Sequence, residues 1–144
     1  MKIKIHPDVM MDYEMMKSKR QHKYSIYTVK EEVGSRVVVM ERVVMGDNPT
    51  TEDDIEALFR SEMPALECRY VMLNLRVIST HQCQVDKFVL LIWCPSEGEQ
   101  KELDLYYSCR NVFRKEMTGV AREYIVNHPN DVSFKQIIQD VGSE

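Results

Sequence analysis

The chain has 144 residues, 44% of them apolar and 29% charged, with a formal net charge of -4. That length makes one domain, spanning 1–144, able to bury roughly 70% of its unfolded surface without disulfide or metal staples. The acidic balance excludes a general pull toward nucleic acid or anionic membrane, so any basic site must be local.

Residues 1 to 6 read as a short lead-in. Pro7 suits a helix start, and from Asp8 to about Lys19 the residues Val9, Tyr13, Met16 and Arg20 follow helical spacing. Lys23 to Lys30 alternates as a strand, the turn 31–35 closes a hairpin, and valine-rich Arg36 to Met45 is its partner. After the loop Gly46-Asp47-Asn48-Pro49, Thr50 or Thr51 caps a helix with Glu52, Asp53 and Asp54 in its first turn and Ile55, Leu58 and Phe59 inside. Pro64 ends that helix.

Cys68 to Ile78 reads as a long strand and Phe88 to Trp93 as a short one. The latter is apolar at every position, which suits a central strand covered on both faces. It is also the longest apolar run, far short of the ~20 residues of a membrane span. Leu105 to Gly119 begins as a short apolar strand and turns into a helix. Glu123 to Val126 is a last strand, and Ser133 with Gln136 forms a capping box. The final helix carries Phe134, Ile137, Ile138 and Val141 on its apolar side. The order predicts an α/β (α+β) fold, a central mixed sheet with helices on both faces.

No cationic start precedes an apolar run, so no secretory leader is expected. Cys68, Cys83, Cys94 and Cys109 lie at wide spacings without a Cys-x-x-Cys, as reduced cytosolic thiols do. His81 and Cys83 lack a second pair at ligand spacing, and no metal or other cofactor is expected. There is no Gly-rich phosphate loop, Gly-x-Ser-x-Gly or His-Glu-x-x-His. Asp53-Asp54 is explained by a helix N-terminus. The chain reads as a binding module and not as an enzyme.

In the helix that ends at Gly119, Arg110, Asn111, Arg114, Lys115 and Thr118 fall on one arc at about 100° per residue. Cys109, Val112, Phe113 and Met117 fall on the other, and Glu116 projects onto that apolar arc without an evident reason. Taken alone, this is an ordinary solvated cationic face. However, Tyr106-Tyr107-Ser108-Cys109-Arg110-Asn111-Val112-Phe113-Arg114-Lys115-Glu116-Met117-Thr118-Gly119 resembles the long helix of the ADF/cofilin family with no insertion. The family pattern runs Tyr-Ala-Ser-Ser-Lys-Asp, one small and one apolar residue, two basic residues, two more positions and a Gly. Three weaker matches stand in the right order. Tyr13 and Met16-Lys17 resemble the family's first helix, Glu67-Cys68-Arg69-Tyr70-Val71 its Asp-Cys-Arg-Tyr, and Trp93-Cys94-Pro95 its Trp-x-Pro.

The resemblance implies the ADF-homology (gelsolin/cofilin-like) fold, with a sheet of five to six strands, and a monomeric, cytoplasmic, cytoskeletal protein. It implies that the basic helix inserts between two subdomains of actin through Arg110, Asn111, Arg114 and Lys115, assisted by Lys101 before it and Ile5 in the N-terminal segment. Arginine can pair carboxylates bidentately, which suits an acidic partner.

The departures are informative. Lys2-Ile3-Lys4-Ile5 stands where the family often has a regulatory Ser, so no phosphorylation switch is expected there. On the filament side, Ser79 to Lys87 has one Lys with Asp86, and the last helix sets Lys135 against Asp140 and Glu144. Firm binding of monomeric actin with weak filament severing is therefore expected. A second resemblance is to the glia maturation factors, which bind the actin-related branching complex and dissociate branches. Arg110-Asn111, Ile125-Val126-Asn127 and Asp131-Val132-Ser133 carry it, whereas Cys68-Arg69-Tyr70 and Trp93-Cys94-Pro95 favour cofilin. A third possible partner is phosphoinositide lipid, at Lys17, Lys19, Arg20, His22 and Lys23, although such a run is usually a solvated helix end.

Overall fold

The computed structural model describes residues 2–19, 21–47, 49–78 and 80–142. Among them six strands form one sheet in the order β1-β3-β2-β4-β5-β6. The strands are β1 (Lys2–Ile5), β2 (His22–Glu32), β3 (Ser35–Met45), β4 (Arg69–Ile78), β5 (Gln84–Trp93) and β6 (Val120–Val126). The four inner strands pair antiparallel, while β1 joins β3 and β6 joins β5 in parallel. Helices α1 (Pro7–Lys19) and α3 (Gln100–Glu116) cover one face. Helix α2 (Glu52–Ala57), its π-helical continuation Leu58–Glu62 and α4 (Phe134–Gly142) cover the other.

Alternation along β4 and β5 builds both cores. Val71, Leu73, Leu75, Val77, Val89, Leu91 and Trp93 point to α2 and α4. Tyr70, Met72, Leu90 and Ile92 point to α1 and α3. Residues Val89 to Trp93 are buried throughout, which is why the sequence there is apolar without a break. No described helix is long and apolar enough to cross a membrane.

Four boundaries differ from the sequence expectation. The lead-in is a strand, whose signal is the alternation Lys2-Ile3-Lys4-Ile5. Its isoleucines pack toward the α1/α3 core and its lysines face out. Strand β5 begins at Gln84 rather than Phe88, because Gln84 to Lys87 pair with Ile78 to Leu75 and Asp86 meets Arg76 across the ladder at 3.1 Å. Strand β6 begins at Val120, paired with Phe88. The segment at Leu105 is helix, not strand, and α3 starts five residues earlier. Leu105-Tyr106-Tyr107 looks extended, but only Tyr106 of the three is fully buried, one step along a helical stripe.

The caps resolve what the sequence left open. Thr51, not Thr50, caps α2. The Asp54 amide donates to Thr51 Oγ1 at 3.2 Å and the Thr51 amide donates back to Asp54 Oδ2 at 2.9 Å. Thr50 instead donates its hydroxyl to the Lys23 carbonyl. The capping box at Ser133 forms only by half. Ser133 Oγ accepts from the Gln136 amide at 3.1 Å, but the Gln136 side chain reaches forward to Asp140.

Candidate functional site

Helix α3 is backed by a fully buried stripe of Tyr106, Cys109, Phe113 and Met117. Phe113 stacks on Tyr70 with ring centroids 4.8 Å apart and planes 6° from parallel, and it also meets Tyr27 at 5.6 Å. Tyr70 donates its hydroxyl to the Tyr106 carbonyl at 2.5 Å, and the Tyr106 hydroxyl accepts from the Val29 amide at 3.0 Å. Glu102, in the first turn, accepts from the Cys68 amide at 3.2 Å. Both ends and the middle of α3 are thus tied to the sheet.

Its C-terminal end has a further tie. Tyr13 of α1 donates its hydroxyl to the Thr118 carbonyl at 2.7 Å, and Gly119 follows with φ +88, a backbone region where glycine is at no steric disadvantage. Burial pushes the Tyr13 hydroxyl up to about 12, against the lowering effect of Arg114. A raised pKa means the folded state holds this proton more tightly. Its contribution is complete below the ordinary tyrosine value of 10.0 and is lost as pH rises through about 12. Tyr13→Phe should cost about 1 kcal/mol at neutral pH and soften the loss of stability between those values, as measured by denaturant unfolding across an alkaline pH series.

The buried stripe fixes where the polar residues stand. Asn111 and Lys115 lie at the crest and are exposed. Arg110 lies on the flank nearer β5 and β6, half-buried, and makes no ion pair among the described residues. A hydrogen bond with Cys68 holds the Cys94 thiol below its usual range, and the positive charge of Arg110 lowers it further. Arg114 is turned back onto its own chain. Its Nε lies 3.5 Å from Glu123 Oε2 and its Nη2 donates to the Val120 carbonyl at 3.4 Å. Glu123 belongs to another element, and no spacing in the sequence pointed to it. Two placements on the apolar arc are corrected. Val112 is 37% exposed and Glu116 is exposed, because the stripe is centred between Cys109 and Met117 and leaves both outside it. The charge of Glu116 therefore needs no partner.

Of the assisting residues, Lys101 is exposed in the first turn of α3. Ile5 is half-buried in β1 opposite Val38 and packs against the α1/α3 core, so it supports the face rather than standing free on it. The basic cluster at the end of α1 is dispersed. Lys17 pairs with Glu14 at 3.1 Å and lies over the Tyr13 ring. His22 is buried and meets Asp12 at 2.8 Å, with Tyr27 donating to the other oxygen of that carboxylate at 2.7 Å. A register shift between His22 and Tyr24 lets Lys23 reach Asp54 of α2, on the opposite face of the sheet, at 2.9 Å. Lys19 is exposed, and Arg20 lies outside the described residues.

At the far end of the β4–β5 hairpin the described tip residues 80–83 carry no Lys or Arg. Arg76 is matched by Asp86, and the exposed side chains there include Ile78 and Val85. On α4, Asp140 accepts from Tyr124 at 2.6 Å and from Gln136 at 2.8 Å, whereas Lys135 is exposed.

The profile of the family described as cofilin/tropomyosin-type actin-binding protein matches residues 2–142. Actin-depolymerizing factor 1 of Arabidopsis thaliana is 27% identical over 130 residues, which cover 90% of this chain and 88% of the relative. Actin depolymerization factor 2 of Plasmodium berghei superposes with a TM-score of 0.77 at 18% identity, over 97% of this chain and 95% of that one. The glia maturation factor of Caenorhabditis elegans superposes with a TM-score of 0.70 at 16% identity, over 95% and 94%. At those identities the two structures establish a shared fold and do not separate one activity from the other. The profile match spans nearly the whole sequence, and the chain belongs to the cofilin/tropomyosin-type actin-binding protein family.

Proposed function

We propose that this chain binds actin as an actin-depolymerising factor, engaging the monomer through α3 and promoting filament turnover without chemistry of its own. Family membership and the depolymerising factors among its relatives support the coarse reading. The finer reading is carried by one observation. Arg110, Asn111 and Lys115 stand on the outer side of a helix whose inner stripe is fully buried and bonded to the sheet. Cations on a stiff support lose little freedom when they meet an acidic partner, so more of the attraction appears as affinity. The test is a fluorescence titration of labelled monomeric actin run beside pelleting with filaments. Saturable binding to the monomer supports the reading, and its absence removes it.

Weak severing goes with this reading. The hairpin tip and α4 together offer Lys135 and little other unmatched positive charge among the described residues. Attraction to a second acidic subunit is correspondingly small. Filaments watched by microscopy at low concentrations of this protein should shorten from their ends with few internal breaks; frequent breaks would contradict this.

The second reading, dissociation of branches through the actin-related complex, is favoured by one feature, the neutral Asn111 at the crest beside Arg110. Debranching activity without monomer binding would put that reading first.

A further inference from the structure

We infer that Glu123 sets how strongly Arg114 takes part in binding, by holding its guanidinium against β6; this rests on the proposal that α3 meets actin. Of the four cations on α3, Lys101, Arg110, Arg114 and Lys115, Arg114 alone is matched by an acid of its own chain among the described residues. The match is incomplete. Arg114 Nε and Glu123 Oε2 are both shut off from solvent, yet neither completes a hydrogen bond, and 3.5 Å separates them. The pair has therefore lost water around these two atoms without gaining the directional bond that usually offsets the loss. The same guanidinium spends Nη2 on the Val120 carbonyl at 3.4 Å, so its planar fork is turned toward β6 and away from the crest.

The side chains of Arg114 and Glu123 remain 34% and 32% exposed, which leaves the guanidinium within reach of a partner. A carboxylate arriving from outside can offer the two-pronged geometry that Glu123 does not. Binding through Arg114 then begins with release from Glu123, and the strength of that hold is subtracted from the affinity. A pair this exposed is of ordinary surface strength, so its release is worth about threefold in binding. Glu123 acts here as a positioning residue, with its effect passing entirely through Arg114.

The experiment is a double-mutant cycle. Monomeric actin is titrated with the wild type, Glu123→Gln, Arg114→Ala and the double variant, and melting temperatures are recorded for all four. Expected is about threefold tighter binding by Glu123→Gln, a gain that vanishes in the Arg114→Ala background. A gain that survives without Arg114 would mean general repulsion between Glu123 and an acidic partner, and would overturn the inference. Unchanged or weaker binding by Glu123→Gln would overturn it too. A chain that bound no actin at all would instead sink the proposed function. The hold itself is therefore also read without actin, from the arginine Nε–H signals in nitrogen-15 NMR. Arg114 should exchange slowly in the wild type and faster in Glu123→Gln, and equal rates would end the inference.

Discussion

Replacing Arg110 and Arg114 together by alanine is expected to weaken binding to monomeric actin by about tenfold or more, with little change in melting temperature. Charged pairs desolvated at the centre of an interface typically cost roughly 2–4 kcal/mol each on truncation. Two such losses exceed tenfold even if one is much smaller than the other. The structure predicts that they are unequal. Arg110 has no ion pair within the described chain, whereas Arg114 is shared with Glu123 and the Val120 carbonyl. Arg110→Ala alone should therefore cost more than Arg114→Ala alone. A fluorescence titration of the three variants checks both statements. Equal affinity of the double variant and the wild type would remove this flank of α3 from the site.

The largest effect on stability is expected from Phe113→Ala, a loss of about 3–5 kcal/mol. Phe113 has no exposed surface, stacks on Tyr70 and touches Tyr27, so truncation leaves a void walled by two rings that are themselves anchored. Tyr70 is held by the Tyr106 carbonyl and Tyr27 by Asp12, and neither can swing in to fill the space. A domain of this size has about 5–15 kcal/mol in total. The variant should unfold at much lower denaturant and lose actin binding with the fold. A loss under about 1 kcal/mol in urea unfolding would show that α3 is not backed in the way described.

These two substitutions sit on opposite sides of one helix, and the sequence made the division between them readable. The helical period of Cys109, Phe113 and Met117 against Asn111 and Lys115 was legible because a packed helix buries one stripe and exposes the other. The two-faced sheet was also legible, from the unbroken apolar run at Phe88 to Trp93 and the valine-rich hairpin, and so was the order of elements from α1 onward, apart from the strand expected at Leu105. The start of α3 was not, because Gln100 to Asp104 is polar at every position but Leu103, and its order is helped by Glu102 meeting the Cys68 amide and Leu103 packing on the core. The polar half of β5 was hidden for a similar reason. Gln84 to Lys87 are extended because β4 lies beside them, not because of their own propensities.

At the site, residue type was readable but engagement was not. Arg110 and Arg114 are the same residue four positions apart, yet one makes no ion pair among the described residues and the other is met by Glu123. Lys17 and Lys23 looked like one basic cluster, but a bulge in β2 sends the second to the other face of the sheet. Charges depend on what the fold brings within a few ångströms, and that information is spread over elements distant in the chain.

The central claim is that an outward cationic side of α3, held stiff by the sheet, is what meets monomeric actin. The most direct measurement is a fluorescence titration of labelled monomeric actin with the wild type and with Arg110→Glu/Lys115→Glu, a reversal that leaves the buried stripe intact. Saturable binding by the wild type, abolished in a reversed variant of equal melting temperature, is the predicted result. Matching curves for the two proteins would contradict it.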